Sequence, residues 1–402
     1  MILSLSWKNI WRSKRRSFVV IGAIILGVWA LIFMIAFYNS FGAAFSKNAI
    51  NYEHSHIQIH NPDYLVEPDI FNQVDDEAQI IESIKEEPAV KSYSGRRKVN
   101  GMIASSKTSL GVQIYGVDPL AESQTTSLEE QLTDGTYFNK IKRNPVLISA
   151  KLADKLKVKI RSKIVITFQD IDGNITSASC RVEGIFDSKS PKINEAVIYL
   201  RKSDLNRLVG AEGINEFAIL LSSSEQIDAT KQKLSGITNN TVRSYKEVAP
   251  EFNLMEESSV VTKQLLTVII MLALLFGIVN TMLMAVLERT KEIGMLRSVG
   301  MKKRSIFSMI MVETSLLGLL AGPIGLAFGY LTIVWLGSRG LDLSAYSDAL
   351  KEYGFDSVFY PEIKTSTYPL MMLVVMVTAF IGAIFPAIKA IRLNPLEAIR
   401  KL

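Results

Sequence analysis

The sequence predicts a membrane protein of four transmembrane helices carrying one α+β extracytoplasmic domain. Three observations predict it. Four runs hold much of the apolar excess of a 402-residue chain that is 48% hydrophobic with a positive mean hydropathy, whereas a soluble chain of this length is ordinarily less apolar and more charged. Lys and Arg gather at the ends of those runs, as they do in cytoplasmic loops. The long stretch between the first two runs alternates strand and helix patterns.

A bilayer core asks for about 20 apolar residues in a helix, and four segments supply them: 18–41, 263–287, 305–337 and 365–388. The first is longer than the usual signal-peptide core of about 7–15 residues, so a retained helix is expected. Orientation follows from the flanks. Lys8, Arg12, Lys14, Arg15 and Arg16 precede the first span within a segment, 1–17, that has no acidic residue. Six basic residues against Glu288 and Glu292 fill the loop 288–304. The tail 389–402 is basic, and the loop 338–364 is acidic on balance through Asp342, Asp348, Glu352, Asp356 and Glu362. The positive-inside rule then sets both termini in the cytoplasm and residues 42–262 outside. The net charge of +6 is thereby accounted for by membrane topology, and no aromatic-interleaved basic stripe points to nucleic acid.

Within the third span Gly318/Gly322 and Gly325/Gly329 stand four apart, a spacing that lets helices approach closely, within one subunit or across a dimer. Pro323 and Pro386 should bend their helices. Glu313 is the one ionisable residue well inside a span. Such a residue is a functional candidate by default. A rise of 1.5 Å per residue puts it only about 12 Å from Arg304, so a paired or snorkelling carboxylate near the cytoplasmic face is the plainer reading.

The outer segment opens on HSHIQIH (54–60), an alternating strand pattern, followed by a helical stretch over 76–87 and a strand from Val90. The order recurs at 216–221 (strand), 224–234 (helix) and 241–245 (strand). Two βαβ units therefore form one subdomain, about 53–104 and 206–247, split by a mainly β insertion at about 105–205. Asp172-Gly173 reads as a hairpin turn. Cys180, the one cysteine, sits in an alternating run and is expected to pack in a strand. The three histidines, His54, His56 and His60, share a strand face, but i and i+6 lie about 20 Å apart on a strand, so no metal site is expected and they read as surface or interface residues. Helical flanks at 39–52 and 248–263 suggest that the first two spans continue outward as a stalk.

No phosphate-cradling G-x-x-x-x-G-K-[ST], no H-E-x-x-H and no G-x-S-x-G occurs. No catalytic residue, cofactor or metal is expected in the chain itself.

The loop LERTKEIGMLRSVGMKKRSI carries Glu288-Arg289, Glu292-Ile293-Gly294, Leu296-Arg297 and Gly300. The tail AIRLNPLEAIRKL carries Arg392, Asn394-Pro395, Glu397 and Arg400, and the chain begins with WKNIWRSKRRSF after a few residues. Together with the order of one span, a large outer domain and three spans, these resemble the FtsX/MacB-type ABC permease family, with its type VII ABC fold. HIQIHNPDY, GVQIYGVDP and SAKLADKLKVK are most like the stand-alone LolC/LolE-type lipoprotein-releasing permeases. The resemblance implies a non-catalytic permease subunit of a bacterial inner membrane. It implies a separate ATPase in two copies that binds ATP and Mg, and a second permease, identical or different. It makes 288–304 the coupling segment; read as a helix, that segment puts Ile293 and Leu296 on one side with Val299 and Gly300 nearby and charges over the rest. It implies a lipoprotein or lipid substrate and a periplasmic carrier. MacB-like efflux of peptides or amphiphilic drugs and FtsX-like signalling to a cell-wall hydrolase are the alternatives.

Overall fold

A computed structural model describes residues 2–12 and 14–392. The chain divides into two compact units. One is helical: the N-terminal segment to Gly42, Glu257–Leu343, and the chain from Val358 onward. The other comprises Ala43–Glu256 and Ser344–Ser357.

Four helices in the described residues are long and apolar enough to cross a membrane: Ser17–His54, Pro250–Glu288, Lys303–Arg339 and Thr367–Ile391. The first is an α-helix, Lys14–Ala49, that runs into a π-turn, Ile50–His54. A shorter helix, Ile2–Arg12, precedes it. The spans bury one continuous apolar seam that includes Val28, Ile32, Leu274, Ile278, Ile310, Leu317, Val375 and Ala383. The third span divides its glycines between two neighbours. A Cβ on Gly318 or Gly322 would meet Ala379 at 3.0 Å or Met372 at 2.8 Å in the fourth span. One on Gly325 or Gly329 would meet Val28 or Ile32 in the first span, each at 2.9 Å. All four glycines thus serve packing inside the subunit.

The second unit is α+β. Its strands are β1 Ile57–His60, β2 Val90–Ala104, β3 Ser109–Val117, β4 Leu132–Gly135, β5 Pro145–Ser149, β6 Lys163–Gln169, β7 Ile175–Phe186, β8 Val197–Arg201, β9 Glu216–Leu221 and β10 Thr241–Ser244. β1, helix Glu77–Glu86 and β2 form one βαβ unit; β9, helix Ile227–Ser235 and β10 form the other. The sheet order β10-β1-β9-β2, antiparallel throughout, inserts β9 between β1 and β2 and β1 between β9 and β10. Each unit is therefore split by a strand of the other.

The insertion closes on itself. β2 pairs with β3, β3 with β8, β8 with β5, β5 with β7, β7 with β6, and β6 returns to β2. This is a six-stranded barrel, and closure leaves these strands no free edge. Alternate residues, among them Val99, Ile103, Ile114, Ile148, Ile166, Cys180 and Val182, fill it. Gly101 sits where β6 crosses β2, since a Cβ there would lie 2.7 Å from the Thr167 carbonyl oxygen. Gly173, at φ +81°, makes the β6–β7 turn. β2 serves both substructures: residues 90–96 pair with β9 and 97–104 with β3. The division falls inside that strand, at Arg96–Arg97, rather than after it.

Arg96 is buried at this division. Its Nε and Nη2 donate to Glu122 at 3.1 and 2.8 Å, and its Nη1 donates to Glu216 at 2.8 Å and to the Glu53 carbonyl at 3.0 Å. Lys98 completes Glu216 at 2.5 Å. Burial opposes charge on Arg96, but Glu122 and Glu216 outweigh it and drive the guanidinium above its ordinary value. Burial likewise opposes charge on Glu216, and Lys98 and Arg96 hold that carboxyl below its range. Removing one member of such a buried set leaves the others uncompensated, at a cost of about 3–5 kcal/mol.

The histidines correct an expectation. His54, His56 and His60 are buried, not surface residues. His54 lies in the π-turn and His56 precedes β1, so only His60 is on the strand. His60 is enclosed because β1 is an inner strand, flanked by β9 and β10, while His56 is held by Leu221 and Ser224 and His54 lies edge-on to Phe252. His56 Nδ1 accepts the Leu221 N–H at 3.1 Å, which requires that nitrogen to be unprotonated. Burial correspondingly lowers this imidazole to about 4. In the unfolded chain it takes a proton below about 6.5, while in the fold it resists until about 4. Stability from His56 is thus complete above pH 6.5 and lost as pH falls toward 4. Burial lowers His60 to about 4 as well, so thermal melting of the detergent-purified chain should show the outer domain's midpoint falling by several degrees between pH 7 and pH 5, and His56→Gln should remove about half of that fall.

Candidate coupling site

The span Pro250–Glu288 stops at Arg289, which turns the chain into a second short helix, Thr290–Ser298. That helix closes on Gly300. The Met301 N–H bonds the Leu296 carbonyl at 3.0 Å and the Gly300 N–H bonds that of Arg297 at 3.1 Å, the paired bonds of a Schellman end. Gly300 holds φ +99°, a conformation costly for a residue with a Cβ. Lys302 is extended, and the next span begins at Lys303.

Arg289 is the node of this region. Its Nη1 lies 3.3 Å from Glu313 Oε1 in the third span, and its Nη2 donates to the Asn9 carbonyl at 2.8 Å. Both charged side chains are buried or nearly so. Glu313 is therefore a paired carboxylate, and its partner belongs to the 288–304 segment. The helix Ile2–Arg12 is drawn in by three further contacts. Arg12 pairs with Glu292, Ser6 Oγ donates to the Met309 carbonyl at 3.1 Å, and Ile10 is fully buried. A groove of about 340 Å³ lies among these elements, lined by Leu5, Met282, Val286, Ile293, Leu296 and Met309 among others.

The short helix presents only part of the face expected of it, Val299 but not Ile293 or Leu296. Ile293 is buried with Gly294 against the chain's own core, and Leu296 lines the groove. The apolar side chains turned outward are Met295 and Val299, 62% and 84% exposed. The cause is the Arg289 turn, which lays the 293–294 side on the bundle. Glu288 is exposed and Glu292 is engaged by Arg12. Arg392 follows the fourth helix, its N–H bonded to the Ile388 carbonyl at 3.3 Å. Asn394, Pro395, Glu397 and Arg400 lie outside the described residues.

The helix Ile2–Arg12 was not among the expected site elements. Leu3, Trp7, Ile10 and Trp11, at i, i+4, i+7 and i+8, were the signal for it.

Residues 17–237, more than half of the chain, match the family described as MacB-like periplasmic core domain. Residues 265–395, which contain the Arg289 node, match FtsX-like permease C-terminal. The chain belongs to the MacB/FtsX family of ABC transporter permeases. Among relatives, the macrolide export ATP-binding/permease protein MacB of Nitrobacter winogradskyi is 26% identical over 67% of this chain. The chain spans only 41% of that protein's length. The uncharacterized ABC transporter permease YvrN of Bacillus subtilis is 21% identical over 99% of this chain and 98% of its own. The lipoprotein-releasing system transmembrane protein LolC of Xylella fastidiosa is 22% identical over 71% of this chain and 72% of its own. As a MacB/FtsX-type permease, the chain places its Arg289–Glu313 pair inside the segment that matches the permease C-terminal region.

Arg289→Ala or Glu313→Ala strands one buried charge, and each should lower the stability of the purified chain by about 3–5 kcal/mol. Arg289→Met with Glu313→Leu should recover most of that loss. Thermal melting of the three variants in one detergent checks this.

Proposed function

We propose that this permease couples ATP hydrolysis by a separate cytoplasmic ATPase to movement of its outer domain, and that the work done is release of lipoproteins from the membrane. The observation that carries the coupling reading is the short helix Thr290–Ser298. It is clamped on one side by Arg289, Glu313 and Arg12, and it turns Met295 and Val299 outward. A flexible Met beside a Val suits a shallow cleft of a partner. The basic flanks of the spans support a cytoplasmic position for this helix and for both termini. Two ATPase copies and a second permease, identical or different, complete the assembly, and ATP with Mg binds in the ATPase.

The clamp makes the short helix a lever rather than a loop. A push on Met295 and Val299 reaches Arg289, and through it the second span, the third span and the helix Ile2–Arg12. Met295→Asp with Val299→Asp should abolish co-purification of the ATPase and its stimulation, with insertion and melting unchanged. Retention of both would exclude this helix as the docking element.

For the cargo, the matched lengths of the LolC alignment and the HIQIHNPDY run support lipoproteins. Each buried CH₂ of an acyl chain holds about 0.8 kcal/mol, so extraction needs an energy source, and a periplasmic carrier with an apolar pocket returns part of that cost. Mass spectrometry of complexes from native membranes, with the ATPase trapped and carrier present, should find acylated peptides. Their absence, with a macrolide or peptide raising ATPase turnover instead, would favour the efflux reading suggested by the MacB relative.

A further inference from the structure

The insertion barrel carries a groove of about 570 Å³ lined by Arg143, Lys163 and Arg181, with Asn144, Ser177 and Ser179 between them and no acidic residue in its wall. Lys163 and Arg181 are direct partners across the antiparallel β6–β7 pair. Like charges placed opposite one another weaken a strand pair. Arg143 is set beside them by Asn144, whose backbone is left-handed at φ +48°. The Asn144 carbonyl accepts the Arg181 N–H at 3.2 Å, its Nδ2 donates to the Ser179 carbonyl at 3.1 Å, and its Oδ1 accepts from Arg207 at 2.8 Å. The loop bearing Arg143 is thus tied to β7.

Some surface lysines on this unit find carboxylates, Lys151 with Glu195, Lys189 with Asp356, Lys231 with Glu247 and Lys233 with Glu87, while others such as Lys85 and Lys91 stand singly in solvent; the groove differs in gathering three such cations on one wall. Among the described residues, the side chains of Arg143, Lys163 and Arg181 have neither an ion pair nor a hydrogen bond. The adjoining sequence is basic, since residues 139–163 hold nine Lys and Arg against one acidic residue, Asp154, and the two carboxylates nearby are already engaged, Glu183 by the Lys140 and Ile141 N–H groups and Asp204 by Arg207. Membrane topology does not explain this charge, because it lies in the outer domain, far in sequence from any span.

We propose that this groove binds a phosphate-bearing ligand of the headgroup class, a phosphodiester or phosphomonoester on a small polyol. Arg143 and Arg181 offer planar forks that match phosphate oxygens, Lys163 adds a compact charge, and the hydroxyls of Ser177 and Ser179 suit the polyol. A bound anion relieves the opposition of Lys163 and Arg181, so the site is strained when empty and settled when filled. The groove exceeds the size of a lone phosphate ion and leaves room for the attached polyol. Neither the coupling helix nor the nature of the cargo enters this inference.

The test uses the full chain in phosphatidylcholine nanodiscs, titrated with phosphatidylglycerol vesicles, phosphatidylcholine vesicles, glycerol 3-phosphate and poly-glutamate. Phosphatidylglycerol vesicles should bind and phosphatidylcholine vesicles should not, with affinity falling as salt is raised. Arg143→Gln, Lys163→Gln and Arg181→Gln together should weaken binding by at least about tenfold. Competition by glycerol 3-phosphate would show that the free headgroup suffices, and its failure to compete would show that the lipid surface is required; both uphold the site. Undiminished binding by the triple variant overturns it, as does poly-glutamate binding as tightly as the vesicles, which would indicate an acidic protein. Arg181→Gln alone should melt no lower than the parent, since it removes a repulsion. A lower midpoint would show that the cluster serves the fold and would equally overturn the assignment.

Discussion

One guanidinium organises the end of the helical unit that carries residues 288–304. Arg289 stands where a long helix breaks and a short one begins, and it is held by Glu313 on the third span and by the Asn9 carbonyl of the N-terminal helix. A charge in that position cannot be left without partners, because burial makes an uncompensated ion costly. The constraint therefore acts on three elements at once. It fixes the turn at Arg289, it sets which side of Thr290–Ser298 faces the bundle, and it keeps Ile2–Arg12 against the third span. The outward position of Met295 and Val299 is a result of that arrangement.

The outer unit repeats the logic with different parts. Arg96 sits on β2 where pairing passes from β9 to β3, and it collects Glu122 from the insertion and Glu216 from the second βαβ unit. Apolar packing supplies most of the cohesion within each substructure, but packing is non-directional. A buried charge with specified partners adds the direction that apolar contacts lack. Ser344–Ser357, from the link between the third and fourth spans, also belongs to this unit through Asn48 to the Gly354 carbonyl (2.6 Å) and Lys189 to Asp356 (2.7 Å).

The parts of this architecture that depend on period and composition were legible in the sequence. The spans, the strand 216–221, the Asp172-Gly173 turn and the buried strand position of Cys180 follow from hydropathy, alternation and turn chemistry. What could not be read depends on residues far apart in the chain. Nothing local in Arg96, Glu122 and Glu216 indicates that they meet. Barrel closure rests on β6 returning to β2, a pairing set by tertiary geometry. The histidines were misjudged because the HSHIQIH pattern gives neither where the strand begins, at Ile57, nor the number of neighbours it acquires. In the segment 288–304 the helix was readable, but the face it presents was set by the Arg289 turn.

β2 also bears on how such a domain can be inherited. Its first half completes the split βαβ sheet and its second half is a stave of the barrel. A recombination event that exchanged the barrel alone would cut through a hydrogen-bonded strand and separate Arg96 from Glu122. The barrel and the split sheet are therefore one heritable block. Lineages that diversify this outer domain are left with loops and surface side chains, such as those around the cationic groove, as the material for change.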